Sequence, residues 1–202
     1  MSAFLGPIHY WLYNKIKLQN RMVEEILQLG YNKYGEDKFI GINEFGSIPD
    51  KNLEEIIDVT NIHGWLQECV STVEYRLAFV TTKMINEDSY NLEILKTLFY
   101  ELGRKSFDLP SIISISEAYK MLNDTLLDGM PCDHANSVVE ENANSLVYKR
   151  NLCVHQKYWD AVGGDIKNYY ILREQFIKGL FDKTNVEYGV IAEDRYQLVT
   201  NE

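Results

Sequence analysis

Cysteine is scarce in this chain: three residues in 202, Cys69, Cys132 and Cys153. An odd count without dense spacing excludes a disulfide-built scaffold and reads as reduced thiols in a cytoplasmic protein. Basic residues are also few, 20 against 30 acidic ones, for a net charge of −10. The densest basic spot is the pair Lys149–Arg150, which makes no groove for a phosphate backbone, so the reading is no nucleic-acid partner. No apolar run approaches the ~20 residues a membrane-spanning helix needs. The opening Met1-Ser2-Ala3-Phe4-Leu5-Gly6-Pro7 lacks the basic start and apolar stretch of a secretory signal. The expectation is therefore no membrane partner either.

Familiar catalytic signatures are missing too. There is no Gly-x-x-x-x-Gly-Lys and no Gly-x-Gly-x-x-Gly, which removes the common phosphate-cradling loops. Gly-x-Ser-x-Gly is absent, and with it the strained nucleophile elbow of the α/β hydrolases. No His-Glu-x-x-His or Glu-x-x-His occurs, so a helix-borne di-iron or zinc pair has no basis.

What the chain has is an ordinary globular composition, 46% hydrophobic and 25% charged, with fourteen Tyr. That argues for a folded core and against disorder. Apolar residues Ile8, Leu12, Ile16, Met22, Ile26 and Leu29 recur at helical spacing from Pro7 to about Tyr34. A loop is expected up to Asp50. A second helical stretch carries Leu53, Ile56 and Ile57, breaks near Asn61 or Gly64, and resumes through Trp65, Val70, Val73, Leu77 and Val80. A third helix is expected after Asp88-Ser89, closed by Gly103 as its C-terminal glycine. A fourth runs from Pro110-Ser111 to Gly129-Met130-Pro131.

Beyond Pro131 the pattern changes. Ser137–Glu141 and Leu146–Arg150 read as a hairpin around Asn142-Ala143-Asn144. A short helix then fits His155 to Ala161, and a longer one, capped by Asp165, runs from Ile166 to Phe181. Val186–Ile191 and Tyr196–Val199 read as a final pair of strands. The predicted fold is α+β and mostly helical. A helical bundle lobe over residues 1–130 is followed by a small antiparallel sheet with two helices over 131–202, in one globular unit.

The sharpest chemical pattern is a doubled Cys-x-His: Cys132-Asp133-His134 and Cys153-Val154-His155. Two thiols and two imidazoles suit a tetrahedral zinc site, and His9 and His63 complete the pool of ligands for a zinc or iron ion. On a helix, residues two apart point about 200° from each other, whereas in a strand they share a face. The alternative use is catalytic: Cys153 as nucleophile, His155 and His134 as acid or base, and Asp133 orienting an imidazole. Arg173 could fork onto a substrate carboxylate, with Trp159 and Glu68 as further substrate-binding candidates. Glu74 shares the apolar neighbourhood of Glu68 on the same stretch.

The order Val138-Val139-Glu140-Glu141, Leu146–Cys153, then Tyr158-Trp159-Asp160-Ala161-Val162-Gly163-Gly164-Asp165 resembles the L-2-amino-thiazoline-4-carboxylic acid hydrolase-like family and the vinyl-reductase-like ligand-binding domains. The resemblance covers about a third of the chain. It implies N-terminal helices, a C-terminal hairpin leading into a strand-end cysteine at Cys153, and a small-molecule pocket between sheet and helices. The family's later cysteines have no counterpart here. Three functions follow as expectations: a cytoplasmic small-molecule-binding protein, in its catalytic form a hydrolase; a metal-binding protein; and a non-catalytic homodimer joined through Trp11, Tyr13 and Trp65.

Overall fold

Helix α1 spans Pro7–Tyr34, with Pro7 in its first turn and Gly35 ending it at φ +87°. Its buried face carries Leu12, Ile16, Val23, Ile26 and Leu27, while Ile8 is half exposed. The computed structural model describes residues 4–201. Where a loop was expected, Glu36–Phe45 forms a 3₁₀ segment that buries Phe39 and Ile42. Those two residues, three apart, sit on one side of a helix with three residues per turn. A single turn, α2 at Leu53–Ile56, precedes α3 at Ile62–Glu87. Asn61 caps α3, its side chain accepting from the Gly64 amide at 3.2 Å, which locates the break seen in the sequence.

Helix α4 runs from Asn91 to Ser106 and does not stop at Gly103. Gly103 is instead buried against α7 (Ile166–Phe181). A Cβ there would strike the Phe176 carbonyl, and a Cβ on Gly179 would strike the Tyr100 carbonyl. The two glycines let α4 and α7 cross with their backbones nearly touching, so the glycine marks a crossing and not a cap. Helix α5, Ile115–Thr125, opens with a capping box of Ser114 and Glu117.

Strands β1 (Asn136–Glu141), β2 (Ser145–Arg150), β3 (Val186–Ala192) and β4 (Arg195–Thr200) form one antiparallel sheet in the order β1-β2-β4-β3. The two hairpins expected from the sequence thus join edge to edge. Asn142 Oδ1 accepts from the amides of Asn144 and Ser145, closing the first turn. Short helix α6, Gln156–Ala161, links β2 to α7. One apolar cluster takes in Val23 of α1, Phe99 of α4, Phe176 of α7, Leu146 of β2 and Leu198 of β4. Helices and sheet therefore bury their apolar faces on each other, as an α+β mostly helical fold.

Among the described residues no helix is long and apolar enough to cross a membrane.

Candidate functional site

The apolar interface between the helices and the C-terminal part is interrupted by a line of charged groups. Glu74 lies on the buried face of α3 between Val70, Val73 and Leu77, and is 1% exposed. Its Oε1 accepts from Gln19 Nε2 of α1 at 2.8 Å, and its Oε2 is 2.9 Å from His155 Nδ1. His155 stands at the N-terminus of α6, 2% exposed. Its Nε2 faces Asp128 Oδ1 at 3.5 Å. Asp128, in the segment that leaves α5, takes a two-pronged contact from Arg173 of α7 at 2.6 and 2.9 Å. Asn136 of β1 donates to Asp128 at 2.8 Å.

The order Glu74–His155–Asp128–Arg173 alternates in sign and sums to zero. Only an imidazolium can donate from both ring nitrogens to flanking carboxylates. Burial opposes the charge on His155, but Glu74 and Asp128 outweigh it and push its pKa up to about 9. Burial likewise raises the Asp128 carboxyl, yet the charges of Arg173 and His155 and their hydrogen bonds hold it well below the usual carboxylate range. Unpaired, each of these ions would be costly to bury; paired in sequence, they offset one another.

Above this line lies a cleft of about 420 Å³. Gln67, Val70 and Glu74 of α3 form one wall, and Leu152–Val154 with Lys157 and Tyr158 form the other. Gly129 and Asp133 close one end. Gly129 needs its left-handed backbone, φ +75°, and a Cβ there would press on the Asp133 carboxylate. Cys153 reaches the cleft from the turn after β2, and Tyr170 Oη donates to its Sγ at 3.1 Å. Tyr170 in turn lies under the Arg150 guanidinium, 3.8 Å from the ring centre.

The residues singled out from the sequence are dispersed across this frame. Cys132 is exposed in the short 3₁₀ turn Pro131–Asp133. His134 is also exposed, with φ +48°, and offers its backbone carbonyl to Asn151 Nδ2. Asp133 does not orient an imidazole; its Oδ2 accepts from the Met130 amide at 2.7 Å and fixes the turn. His9 and His63 face each other at 3.5 Å between Nε2 atoms near the start of α1 and α3. The Gly6 amide donates to His9 Nδ1, and the two imidazole rings lie tilted with their centres 5.5 Å apart. Among the described residues no group of three or more His, Cys, Asp or Glu side chains stands where it could hold a metal ion. The doubled Cys-x-His therefore does not close into a four-ligand site: Cys132 and His134 face solvent while His155 is locked inside.

Arg173 is occupied by Asp128, so its fork binds the protein and not a substrate carboxylate. Trp159 is fully buried core, stacked edge-on to Tyr169. Glu68 is exposed on α3 and lies outside the cleft lining. The aromatics proposed for a dimer face serve this chain itself. Tyr13 is 1% exposed with Oη 3.2 Å from the carbonyls of Pro49 and Lys51, Trp11 donates to Asp124, and Trp65 packs on Tyr13.

Sequence reasoning missed Asp128, Gln19 and Lys15. The available signal was a polar residue at an apolar-stripe position: Lys15 and Gln19 share the inward face of α1 with Leu12 and Ile16. No family model, curated protein or solved structure matches the chain.

Proposed function

We propose that the protein binds a small polar molecule in the cleft between α3 and the β2–α6 connection. The observation that carries this reading is the cleft itself: about 420 Å³, set where the helical and α+β parts meet, within the size range of small-molecule sites. Glu74 on its wall is fixed from behind by His155, which gives the preorganised backing that binding sites need. Val70, Leu152, Val154 and Tyr158 supply apolar wall, while Gln67, Glu74, Asp133, Gln156, Lys157 and Asp160 supply polar groups.

With Glu74 neutralised by His155, Asp133 and Asp160 against Lys157 leave the lining one net negative charge, which favours a ligand that donates hydrogen bonds or carries positive charge. Cys153 is the thiol such a ligand would meet. A hydrolase built on Cys153 would need a base, and His155 already donates to Glu74 and faces Asp128. Reversible binding is thus the function best supported. The resemblance of the 138–165 region to ligand-binding and hydrolase-like proteins points the same way, and the three unpaired cysteines suit a cytoplasmic setting.

The test is a screen of small amines and polyols by native mass spectrometry and thermal shift, repeated on Gln67→Trp. Gln67 is half-buried on the cleft wall, so an indole there fills the space. Hits that disappear in Gln67→Trp, with its melting temperature kept, support the reading. Hits that persist, or none at all, count against it.

A further inference from the structure

Lys15 is the one lysine buried among the described residues, at 5% exposure. Helical spacing puts it on the inward face of α1 with Leu12, Ile16 and Gln19. Its ammonium sits 3.8 Å from the centre of the Trp11 ring. Among the described residues its Nζ forms no hydrogen bond or ion pair; it rests on the Trp11 ring and keeps an opening to solvent. The neighbouring acids act on it through space, and both are bound elsewhere. Asp124 receives Trp11 Nε1 at 2.8 Å and pairs with Lys120. Asp128 is taken by Arg173 and Asn136.

A second observation accompanies this amine. A cavity of about 170 Å³ opens beside it, walled by Trp11, Lys15, Asn123, Asp128, His134 and Asn136. At ~30 Å³ per water in the liquid, that is room for about five waters or a few ligand heavy atoms. Gly129 separates this cavity from the Cys153 cleft and lines both.

An amine held by a ring face and a narrow opening, with no oxygen to accept from it, can lower its cost by releasing its proton or by meeting an oxygen brought by a ligand. We propose that Lys15 is a reactive amine that takes small aldehydes or α-keto acids in this cavity as imines. The nitrogen lone pair attacks the carbonyl carbon and a C–N bond forms. The two N–H protons leave with the carbonyl oxygen as water, and a C=N bond remains. No oxidant or reductant takes part. Burial also lowers the Lys15 pKa to about 8, opposed by Asp128 and Asp124 and assisted by Arg173, and a lysine of that kind is the usual imine former.

The experiment is reductive trapping of the folded protein with glyoxylate and cyanoborohydride at pH 7, followed by peptide mass mapping. Lys15 should be carboxymethylated faster than exposed lysines such as Lys51 and Lys167 by roughly tenfold or more, since tenfold more free amine accompanies each pH unit by which the pKa is lowered. Its rate should level off above about pH 8, the value set by burial with Asp128, Arg173 and Asp124 around it; His134, on the cavity wall, is the other titratable group facing this space. In Lys15→Met the fast adduct should vanish while the slow surface adducts remain. Should that variant not fold, the wild-type map decides alone. Adducts spread over surface lysines, with Lys15 unmodified in protein that melts normally, would overturn the proposal. The ligand of the neighbouring cleft plays no part in any of these outcomes.

Discussion

The imidazolium of His155 makes stability depend on pH in a direction that can be worked out beforehand. Its pKa is about 9 in the folded protein against 6.5 for the free group. A raised folded-state pKa means that the stabilisation is complete below pH 6.5 and is lost as pH climbs through 9. The full effect is about 3 kcal/mol, at about 1.4 kcal/mol per pH unit of difference. Lys15 acts in the opposite sense, because its folded pKa of about 8 lies under the ordinary 10.5. Between pH 6.5 and 8 the loss at His155 outweighs the smaller gain as Lys15 begins to titrate, and unfolding free energy should fall by about 1 kcal/mol. Urea titrations followed by tryptophan fluorescence at half-unit pH steps would measure it. His155→Gln should be less stable at pH 6.5 and should have a flatter profile across this window. A wild-type profile that is level or rising from 6.5 to 8 would refute the reasoning.

Three further outcomes follow from the packing. Gly103→Ala and Gly179→Ala each drive a methyl into a carbonyl of the facing helix, and should each cost about 1–3 kcal/mol or more by thermal denaturation. Arg173→Met leaves Asp128 without its two-pronged partner, and should cost about 3–5 kcal/mol in urea unfolding. With Ellman's reagent on native protein, exposed Cys132 should react first and half-buried Cys153 more slowly. Cys69, buried and with its thiol pushed up to about 12, should react only on denaturation.

The elements were legible wherever a period or a turn signal ran long enough. The stripe of α1, the Asn61 break before α3, the Asp165 cap of α7 and both hairpins could be read from side-chain spacing alone. Glycine was less transparent, since Gly103 serves a helix crossing, and a crossing has the same local signature as a cap. The segment from Glu36 to Phe45 looked like loop because a 3₁₀ run with two apolar residues offers too little period to recognise.

The site was only partly legible for a different reason. Thiol and imidazole types drew attention to Cys132, His134, Cys153 and His155, but spacing along a chain does not say which loops meet. What His155 meets is set by α3 and by the segment that leaves α5, through Glu74 and Asp128, at separations of 81 and 27 residues. Glu74 could be flagged because an acid amid Val70, Val73 and Leu77 has to find a partner. Asp128 could not, because Asp-Gly before a proline has the same sequence whether it ends a helix or anchors an arginine.

His155 is a charged strut behind Glu74 and not a free base beside Cys153. Long-range ¹H–¹⁵N correlation spectra of the imidazole at pH 7 report this directly. Both ring nitrogens of His155 should carry protons at pH 7, with a titration midpoint well above 6.5. A neutral ring at that pH, protonated on one nitrogen only, would contradict the account.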